Sequence, residues 1–250
     1  MNFKIRKYGL LIILIGLLNP AYTQTTTDKA QKIVNKAIKA HGGKAYDNLS
    51  VAFSFRSKDY TIKLNNGSFE YTRSFSDDSG TYYDKLSNDG FVRSHNGEPV
   101  KLSEKDTKRF SSSVNSVAYF TLLPKGLNDP AANKTLIGTT KIKDKEYHFI
   151  EVRFDEEGGG DDFEDVFAYW INIKTNTVDY LAYSFHVNDG GVRFREAINP
   201  VEVGGVRYQN YINYSPQSKD TPLDKLPQLF EQGSLKKLSE ILNEDMRIVN

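Results

Sequence analysis

Residues 166–214 read VFAYWINIKTNTVDYLAYSFHVNDGGVRFREAINPVEVGGVRYQNYINY, and this run carries the clearest strand signals in the chain. Three turn signals, Thr175-Asn176, Asp189-Gly190 and Gly204-Gly205, occur in this run. They divide it into four segments that are rich in β-branched and aromatic residues. Asp-Gly and Gly-Gly suit two-residue hairpins because glycine adopts positive φ at no steric cost. The run therefore predicts four consecutive antiparallel strands.

Two-residue turns throughout would gather large apolar side chains on one face of this predicted sheet. A single row would then cross the four strands through Trp170, Leu181, Ile198 and Tyr211. The same register would pair Phe185 with Phe194 and bring Tyr183 to the same face. A shift of one residue would move a strand's side chains to the opposite face, so this prediction depends on the register.

One carboxylate falls among these apolar side chains. The predicted register places Glu196 close to Trp170, Tyr183 and Ile198. Burial there would raise the pKa of Glu196 by desolvation, which is typical of functional sites. The alternative is a carboxylate near the rim of the sheet, or one that is paired with an arginine.

The first 23 residues have the pattern of a secretory signal peptide. Basic residues at positions 4, 6 and 7 precede a short apolar core at 10–18, and Ala21-Tyr22-Thr23 offers a cleavage site. The apolar core is shorter than the roughly 20 residues that a membrane-spanning helix needs. We therefore expect residues 24–250 to form one secreted domain, periplasmic or extracellular, without a transmembrane segment.

Composition excludes several kinds of site. The chain has no cysteine, so it forms neither disulfides nor thiolate metal sites nor a lipid-attached cysteine. Its formal charge of +1 becomes −2 when the three basic residues of the leader are removed (+1 − 3), which gives no reason to expect nucleic-acid binding. Because phosphate-binding glycine loops, dinucleotide fingerprints and hydrolase motifs are missing, we expect no cofactor.

Metal binding is not expected either. The acidic segment 155–165 contains seven carboxylates but lacks the spacing of an EF-hand, and it predicts a solvated loop. The four histidines, at 41, 95, 148 and 186, form no metal-binding pair at helical spacing. His41 follows a predicted helix, where it could act as a ligand or base, or simply suit the negative end of the helix dipole.

The rest of the chain predicts a β-meander with helices. An amphipathic pattern at 28–40 indicates a helix that ends at His41-Gly42-Gly43. Further strands are predicted at 51–55, 60–64, 68–75, 81–86, 91–95, 133–142 and 146–154. Short C-terminal helices are predicted at 223–230 and 234–242.

A helix is also predicted at 103–123, between two groups of strands. Ser103 followed by Asp106 resembles an N-terminal capping box. Such a helix can lie across a sheet and cover its apolar face. An ordinary surface helix over a filled core fits the same pattern.

Several short segments resemble the later strands of the lipoprotein-carrier superfamily, the LolA-like and LppX-like periplasmic proteins: Tyr169-Trp170-Ile171-Asn172, Lys174-Thr175-Asn176, Val192-Arg193-Phe194-Arg195 and Gly204-Gly205-Val206-Arg207-Tyr208. The helix ending in His41-Gly42-Gly43 also resembles an uncharacterised secreted family of Bacteroidetes-type bacteria. This resemblance implies an α+β fold with a strongly curved antiparallel sheet, an unclosed β-barrel. Helices would cover its concave face, which would hold acyl chains or other apolar ligands.

The leading hypothesis is a non-enzymatic periplasmic or envelope protein that binds an apolar small molecule, a lipid or an acyl chain. Its predicted ligand-binding residues are Trp170, Leu181, Tyr183, Phe185, Phe194, Glu196, Ile198 and Tyr211. Two alternatives stay open. One is an interaction module that docks another envelope protein, and the other is a secreted hydrolase that uses carboxylates such as Glu196.

Overall fold

The computed structural model describes residues 20–158, 163–186 and 189–250. Most of the predicted signal peptide and residues 159–162 of the acidic segment lie outside this part of the chain. The helices are α1 (Pro20–His41), α2 (Glu104–Thr121) and α3 (Leu226–Glu231). None of the described helices has the length together with the apolar character that a bilayer crossing requires.

Fourteen strands occur in the described part of the chain, and all their pairings are antiparallel. They are β1 (Asn48–Phe55), β2 (Lys58–Asn65), β3 (Ser68–Asp77), β4 (Gly80–Ser87), β5 (Gly90–His95), β6 (Glu98–Pro99), β7 (Ala132–Ile142), β8 (Lys145–Phe154), β9 (Val166–Asn172), β10 (Val178–Phe185), β11 (Gly191–Val203), β12 (Val206–Ser215), β13 (Lys236–Ile241) and β14 (Glu244–Ile248).

These strands form two seven-stranded sheets. Sheet A has the order β14-β1-β2-β3-β4-β5-β6, and sheet B has the order β13-β12-β11-β10-β9-β8-β7. The sheets are linked at one side, because β13 adds to the edge of sheet B and β14, the next strand in the chain, adds to the edge of sheet A. In the described structure the two sheets do not close into a barrel, since β6 and β7 each pair on one side only.

Two predicted turns are confirmed. Asn66 and Gly67 both have positive φ (45° and 96°) between paired residues of β2 and β3. Gly204 and Gly205 (61° and 76°) likewise connect β11 to β12, and Glu202 pairs with Arg207 as predicted. Positive φ at both central positions is what a two-residue hairpin of this twist requires.

The predicted register of β9, β10 and β11 is wrong. Trp170 pairs with Tyr180 instead of Leu181, and Leu181 pairs with Arg195 instead of Ile198. Both connections are five residues long, 173–177 and 186–190, where two-residue turns were expected. In the first, the Asn172 side chain accepts hydrogen bonds from the backbone N–H groups of residues 174 and 175, which stabilises the longer loop.

A bulge shifts the register of β11 and β12 as well. Ile198 pairs with Asn210 and Ala197 with Tyr211, whereas Ile198 was expected opposite Tyr211. The irregularity falls at Asn199 and Pro200, where Asn199 has a φ of 46°. Proline has no N–H group to donate to a sheet, so it is confined to edges and bulges. As a result, the row of four apolar side chains does not share one face.

The sheets pack in layers around the helices. We call the sides of the sheets that pack against α1 and α2 their inner faces. On sheet B the inner face buries Ile150, Tyr169 and Leu181 together with Ala30 and Val34 of α1. On sheet A, the inner-face residues pack with Ala118 and Leu122 at the C-terminal end of α2: Leu49, Val51, Phe53, Tyr60, Ile62 and Leu64.

The opposite, outer face of sheet B is covered by the C-terminal segment. Leu226 of α3 is fully buried against Trp170 and Phe194. The helix predicted at 223–230 is therefore confirmed in its main part, as a 3-10 turn followed by α3. The helix predicted at 234–242 is wrong, because this segment instead forms strand β13, whose backbone groups pair with the free edge of β12.

Candidate ligand-binding site

The first of two clefts beside α2 has a volume of about 560 Å³. Sheet A contributes Phe69 and Tyr71 to its wall, and sheet B contributes Phe154 and Phe167. Helix α2 contributes Tyr119, whose hydroxyl lies 2.9 Å from the hydroxyl of Tyr169. We call this the α2–β3 cleft, and its wall combines aromatic rings with polar side chains such as Ser116 and Lys125.

The second cleft lies on the other side of α2 and has a volume of about 330 Å³. Sheet A lines it with Phe55 and Tyr60, and sheet B lines it with Arg195, Tyr211 and Ile241. We call it the α2–β11 cleft. Both volumes fall in the range of roughly 300–1,000 Å³ that is typical of small-molecule sites.

The two clefts share part of their lining. Ser116 and Phe120 of α2 face both of them. The Phe120 ring contacts the Tyr183 ring, with 5.8 Å between centroids, and so ties α2 to the inner face of sheet B. Helix α2 therefore occupies a space between two aromatic sheet faces and divides it.

Tyrosine hydroxyls in and beside the clefts remain neutral at ordinary pH. Burial raises the pKa of Tyr60, of Tyr119 and of Tyr211 above the usual value for tyrosine. These groups can donate hydrogen bonds to a ligand but add no negative charge. These tyrosines thus present apolar rings with neutral polar edges to the clefts.

A buried ion cluster borders the α2–β11 cleft. Arg73 donates two hydrogen bonds to the carboxylate of Asp84, at 2.8 and 2.6 Å, and Arg93 donates two more, at 2.6 and 2.9 Å. The side chain of Asp84 is completely buried, and Arg73 also donates to Ser113 of α2. The Arg93 guanidinium lies 3.5 Å from the centroid of the Phe110 ring, a cation–π contact.

Arg195 is the buried cation on the other wall of the cleft. It is 8% exposed and stacks on Phe120, with 4.1 Å from its guanidinium carbon to the ring centroid. One of its terminal nitrogens donates to the hydroxyl of Tyr183 at 2.9 Å. Its Nε is buried and has no hydrogen-bond partner among the described residues.

The comparison with protein families matches residues 7–243 to DUF6503, described as a family of unknown function. The match spans almost the whole sequence. The chain belongs to the DUF6503 family. No curated protein matches the sequence of this DUF6503 chain.

Solved structures similar to this DUF6503 chain include three with low sequence identity. A LolA superfamily protein from Nitrosomonas europaea has 12% identity and a TM-score of 0.49, covering 88% of this chain and 94% of that one. A DUF1329 family protein from Desulfovibrio piger has 8% identity and a TM-score of 0.48, with coverages of 88% and 92%. Lipoprotein LppX from Mycobacterium tuberculosis has 11% identity and a TM-score of 0.31, with coverages of 65% and 90%. Two of these proteins bear the names LolA and LppX, the families that the sequence segments resemble.

The structure of the DUF6503 chain separates the residues predicted to bind a ligand. Leu181, Tyr183 and Tyr211 belong to the inner-face cluster of sheet B, and Tyr211 lines the α2–β11 cleft. Four others lie on the outer face: Trp170, Phe194, Glu196 and Ile198. Phe185 lies at the end of β10, beside an open groove that includes Gly191. The changed register is the reason for this division.

Glu196 is not close to either cleft in this DUF6503 chain. Its carboxylate accepts from Lys143 Nζ at 2.7 Å and from the hydroxyl of Tyr214 at 3.2 Å, on the outer face. The predicted position among Trp170 and Tyr183 was wrong, since Tyr183 points to the inner face. Among the described residues no three His, Asp or Glu side chains gather in a way that could hold a metal ion.

The sequence contained a signal for the charged part of the site, which we did not predict. Phe69, Tyr71 and Arg73 alternate along β3, so the arginine shares the apolar parity of the strand. Asp84 pairs directly with Arg73 in the next strand. A charged residue at an apolar position of two paired strands indicates a buried ion pair. Finding it requires the pairing of β3 with β4, which the short turn at Gly80 supports.

Proposed function

We propose that this DUF6503 protein binds an apolar ligand, a lipid or an acyl chain, in the space beside α2 between the two sheets. The observation that carries the proposal is the pair of aromatic-lined clefts that share Ser116 and Phe120. Burial of an acyl chain there would contribute roughly 0.8 kcal/mol per methylene. A carrier role without catalysis fits this arrangement, because Glu196 lies on the outer face.

In this proposal the inner faces form the concave side of the curved sheets, and α2 covers that side. The signal peptide at 1–23 would direct the protein to the periplasm or another compartment of the cell envelope. Seven of the eight predicted side chains lie on the inner or outer face of sheet B, and Phe185 lies beside a separate groove. Leu181, Tyr183 and Tyr211 are proposed to face the ligand, and those on the outer face are proposed to hold the C-terminal segment in place.

Uptake of a neutral apolar probe tests this function. The fluorescence of N-phenyl-1-naphthylamine should rise when the purified protein is added, and native mass spectrometry of protein from the envelope should detect bound lipid. Ser116→Trp would place an indole in the space that both clefts share. We expect this variant to bind the probe about tenfold more weakly, the equivalent of about two buried methylenes.

Lys105→Trp provides the matched control. Lys105 lies on the same helix, is exposed and lines neither cleft. This variant should bind the probe as the wild type does. The proposed function is wrong if the wild-type protein takes up no probe and carries no lipid, or if Ser116→Trp binds as well as Lys105→Trp.

A further inference from the structure

The α2–β11 cleft has an unbalanced charge. The described residues that line it include four cationic side chains and no carboxylate: Arg56, Lys58, Arg73 and Arg195. The rest of the lining is mainly aromatic and aliphatic, with Phe55, Phe120 and Ile241 as examples. A cleft with apolar walls and charges that are all positive suits a ligand that is apolar over most of its length and negative at one end.

Arg195 carries most of this argument. Buried guanidinium groups are stable only when anions and hydrogen bonds compensate them. Within the described chain no Asp or Glu lies within 4.0 Å of Arg195, and its Nε has no partner. The guanidinium can present two parallel N–H groups to a carboxylate or phosphate, and at least one of these groups is unused.

Asp84 cannot neutralise this charge. Its carboxylate already accepts four hydrogen bonds from Arg73 and Arg93, which is about the capacity of a carboxylate. Two guanidinium groups and one carboxylate leave that cluster with a formal charge of +1. The cleft therefore has positive charge on both walls, from Arg73 on sheet A and from Arg195 on sheet B.

The turn between β1 and β2 places a third arginine beside the cleft. Arg56 and Ser57 both have positive φ, at 51° and 58°. Turns of this geometry favour Asn-Gly, and a side chain such as arginine is strained there. Residues in sparsely populated backbone regions cluster at ligand clamps and active sites. Here the unfavourable turn places Arg56 in the lining of the cleft.

We propose that the ligand is an amphiphile with an acidic headgroup, a carboxylate or a phosphate, which binds Arg195 in the α2–β11 cleft. The proposal rests on the proposed function, since it specifies the class of lipid that the space beside α2 accepts. Arg73 contributes positive charge from the opposite wall, and the aromatic lining contacts the chain. A lipid without an acidic group would leave the charge of Arg195 uncompensated.

Palmitate and hexadecanol separate the headgroup from the chain, because they differ only at the terminal group. Calorimetric titration should show that the wild-type protein binds palmitate at least about tenfold more tightly than hexadecanol, as expected for a charge-assisted hydrogen bond. Arg195→Met keeps an unbranched stem that reaches about as far as Nε, and it removes the guanidinium charge. This variant should lose most of the preference for palmitate, and an unchanged preference would show that Arg195 does not bind the headgroup.

Arg193→Met is the control for this substitution. Arg193 lies two residues away on the same strand, stacks on Phe185 and is not part of the cleft lining. Its variant should keep the preference for palmitate. Arg195→Lys, which keeps the charge but not the paired N–H groups, should show an intermediate preference and serves if Arg195→Met does not fold.

The outcomes distinguish this inference from the function on which it rests. Equal binding of palmitate and hexadecanol by the wild type would contradict the proposal of an acidic headgroup. It would not contradict the proposal of an apolar ligand. Binding of neither one counts against the function itself. Inorganic phosphate is the third probe. If phosphate binds through Arg195 while palmitate does not, the site holds a free anion, and the proposal of an amphiphilic ligand is wrong.

Discussion

Asp84 shows how one residue can hold two strands of sheet A to a third. It is fully buried on β4, between Arg73 on β3 and Arg93 on β5. The carboxylate compensates both cations, and Arg73 in turn reaches Ser113 of α2. Because this cluster is buried, its contribution depends on all of its members being present.

Replacement of this carboxylate should destabilise the protein strongly. Asp84→Ala leaves two buried guanidinium groups without an anion, and breaking a buried ion pair in this way costs about 3–5 kcal/mol. Urea denaturation followed by circular dichroism measures the change in the free energy of unfolding. Asp89→Ala, at an exposed turn of the same sheet, should change it by less than about 0.5 kcal/mol. A similar result for both variants would contradict the role of the cluster.

His41 is buried where α1 ends and is neutral in the folded protein. Its Nε2 accepts a hydrogen bond from the backbone N–H of Val178 at 3.1 Å. Burial, with a further contribution from Arg207, lowers the pKa of His41 from 6.5 to about 4. The histidine at the end of the helix is thus a buried structural group that links α1 to β10.

The low pKa of His41 predicts how stability depends on pH. Because the folded-state pKa is depressed, the contribution is complete above pH 6.5 and is lost as pH falls from there towards 4. This shift corresponds to about 3 kcal/mol. Urea denaturation of the wild type at pH 7 and at pH 4.5 should show much of that loss. His41→Gln cannot titrate, so its free energy of unfolding should fall less between the two pH values. If the variant lost as much as the wild type, the assignment to His41 would be wrong.

Helix α2 is the element on which the site depends, and its beginning was predicted correctly. Ser103 Oγ accepts from the backbone N–H of Asp106 at 3.1 Å, as the capping pattern indicated. The hydroxyl also donates to the Asp106 carboxylate at 2.9 Å. An N-cap depends on neighbouring residues only, which explains why sequence alone located it.

Loss of this cap should weaken α2 without changing the clefts directly. Ser103→Ala removes the acceptor for the first turn and should lower stability by about 1 kcal/mol. Thermal unfolding measures the effect, and Ser103→Thr, which keeps an oxygen at the same place, should stay close to the wild type. If Ser103→Thr lost as much as Ser103→Ala, the cap would not be the cause.

Among the secondary-structure elements, the positions of strands were more predictable from sequence than their pairings. Next to Asn66-Gly67 and Gly204-Gly205 the strands paired as expected because those turns contain two residues, although the bulge in β11 changed the pairing farther from the second turn. Five-residue loops at 173–177 and 186–190 changed the register of β10 on both sides. Whether a loop has two or five residues depends on hydrogen bonds such as those of Asn172, which composition does not reveal.

In the whole molecule, the last two strands link the sheets. Strand β13 pairs with β12, and β14 pairs with β1. Each covers an edge that would otherwise present unpaired backbone groups. The connection also reaches the space beside α2, because Ile241 lines the α2–β11 cleft.

Removal of residues 236–250 should therefore destabilise both sheets. The truncated protein loses the ladder bonds of β13 and β14, each worth about 1 kcal/mol. Its thermal midpoint should fall by more than about 10 °C, and it should form larger particles in light scattering because two edges are exposed. Removal of residue 250 alone should leave the midpoint nearly unchanged. If the protein without residues 236–250 had the same thermal midpoint as the full-length protein, the sheets would not need this connection.

Sequence alone located most of the antiparallel strands, two of the tight turns and helix α2 with its cap. These features depend on neighbouring residues, or on a pattern that repeats every second residue. Tertiary structure decided which side chains share a face, because loop lengths and the bulge at Asn199 and Pro200 shift whole strands by one or three residues. It also brought Arg195 of sheet B opposite Arg73 of sheet A. No local pattern encodes that proximity, because it depends on two sheets packing around one helix.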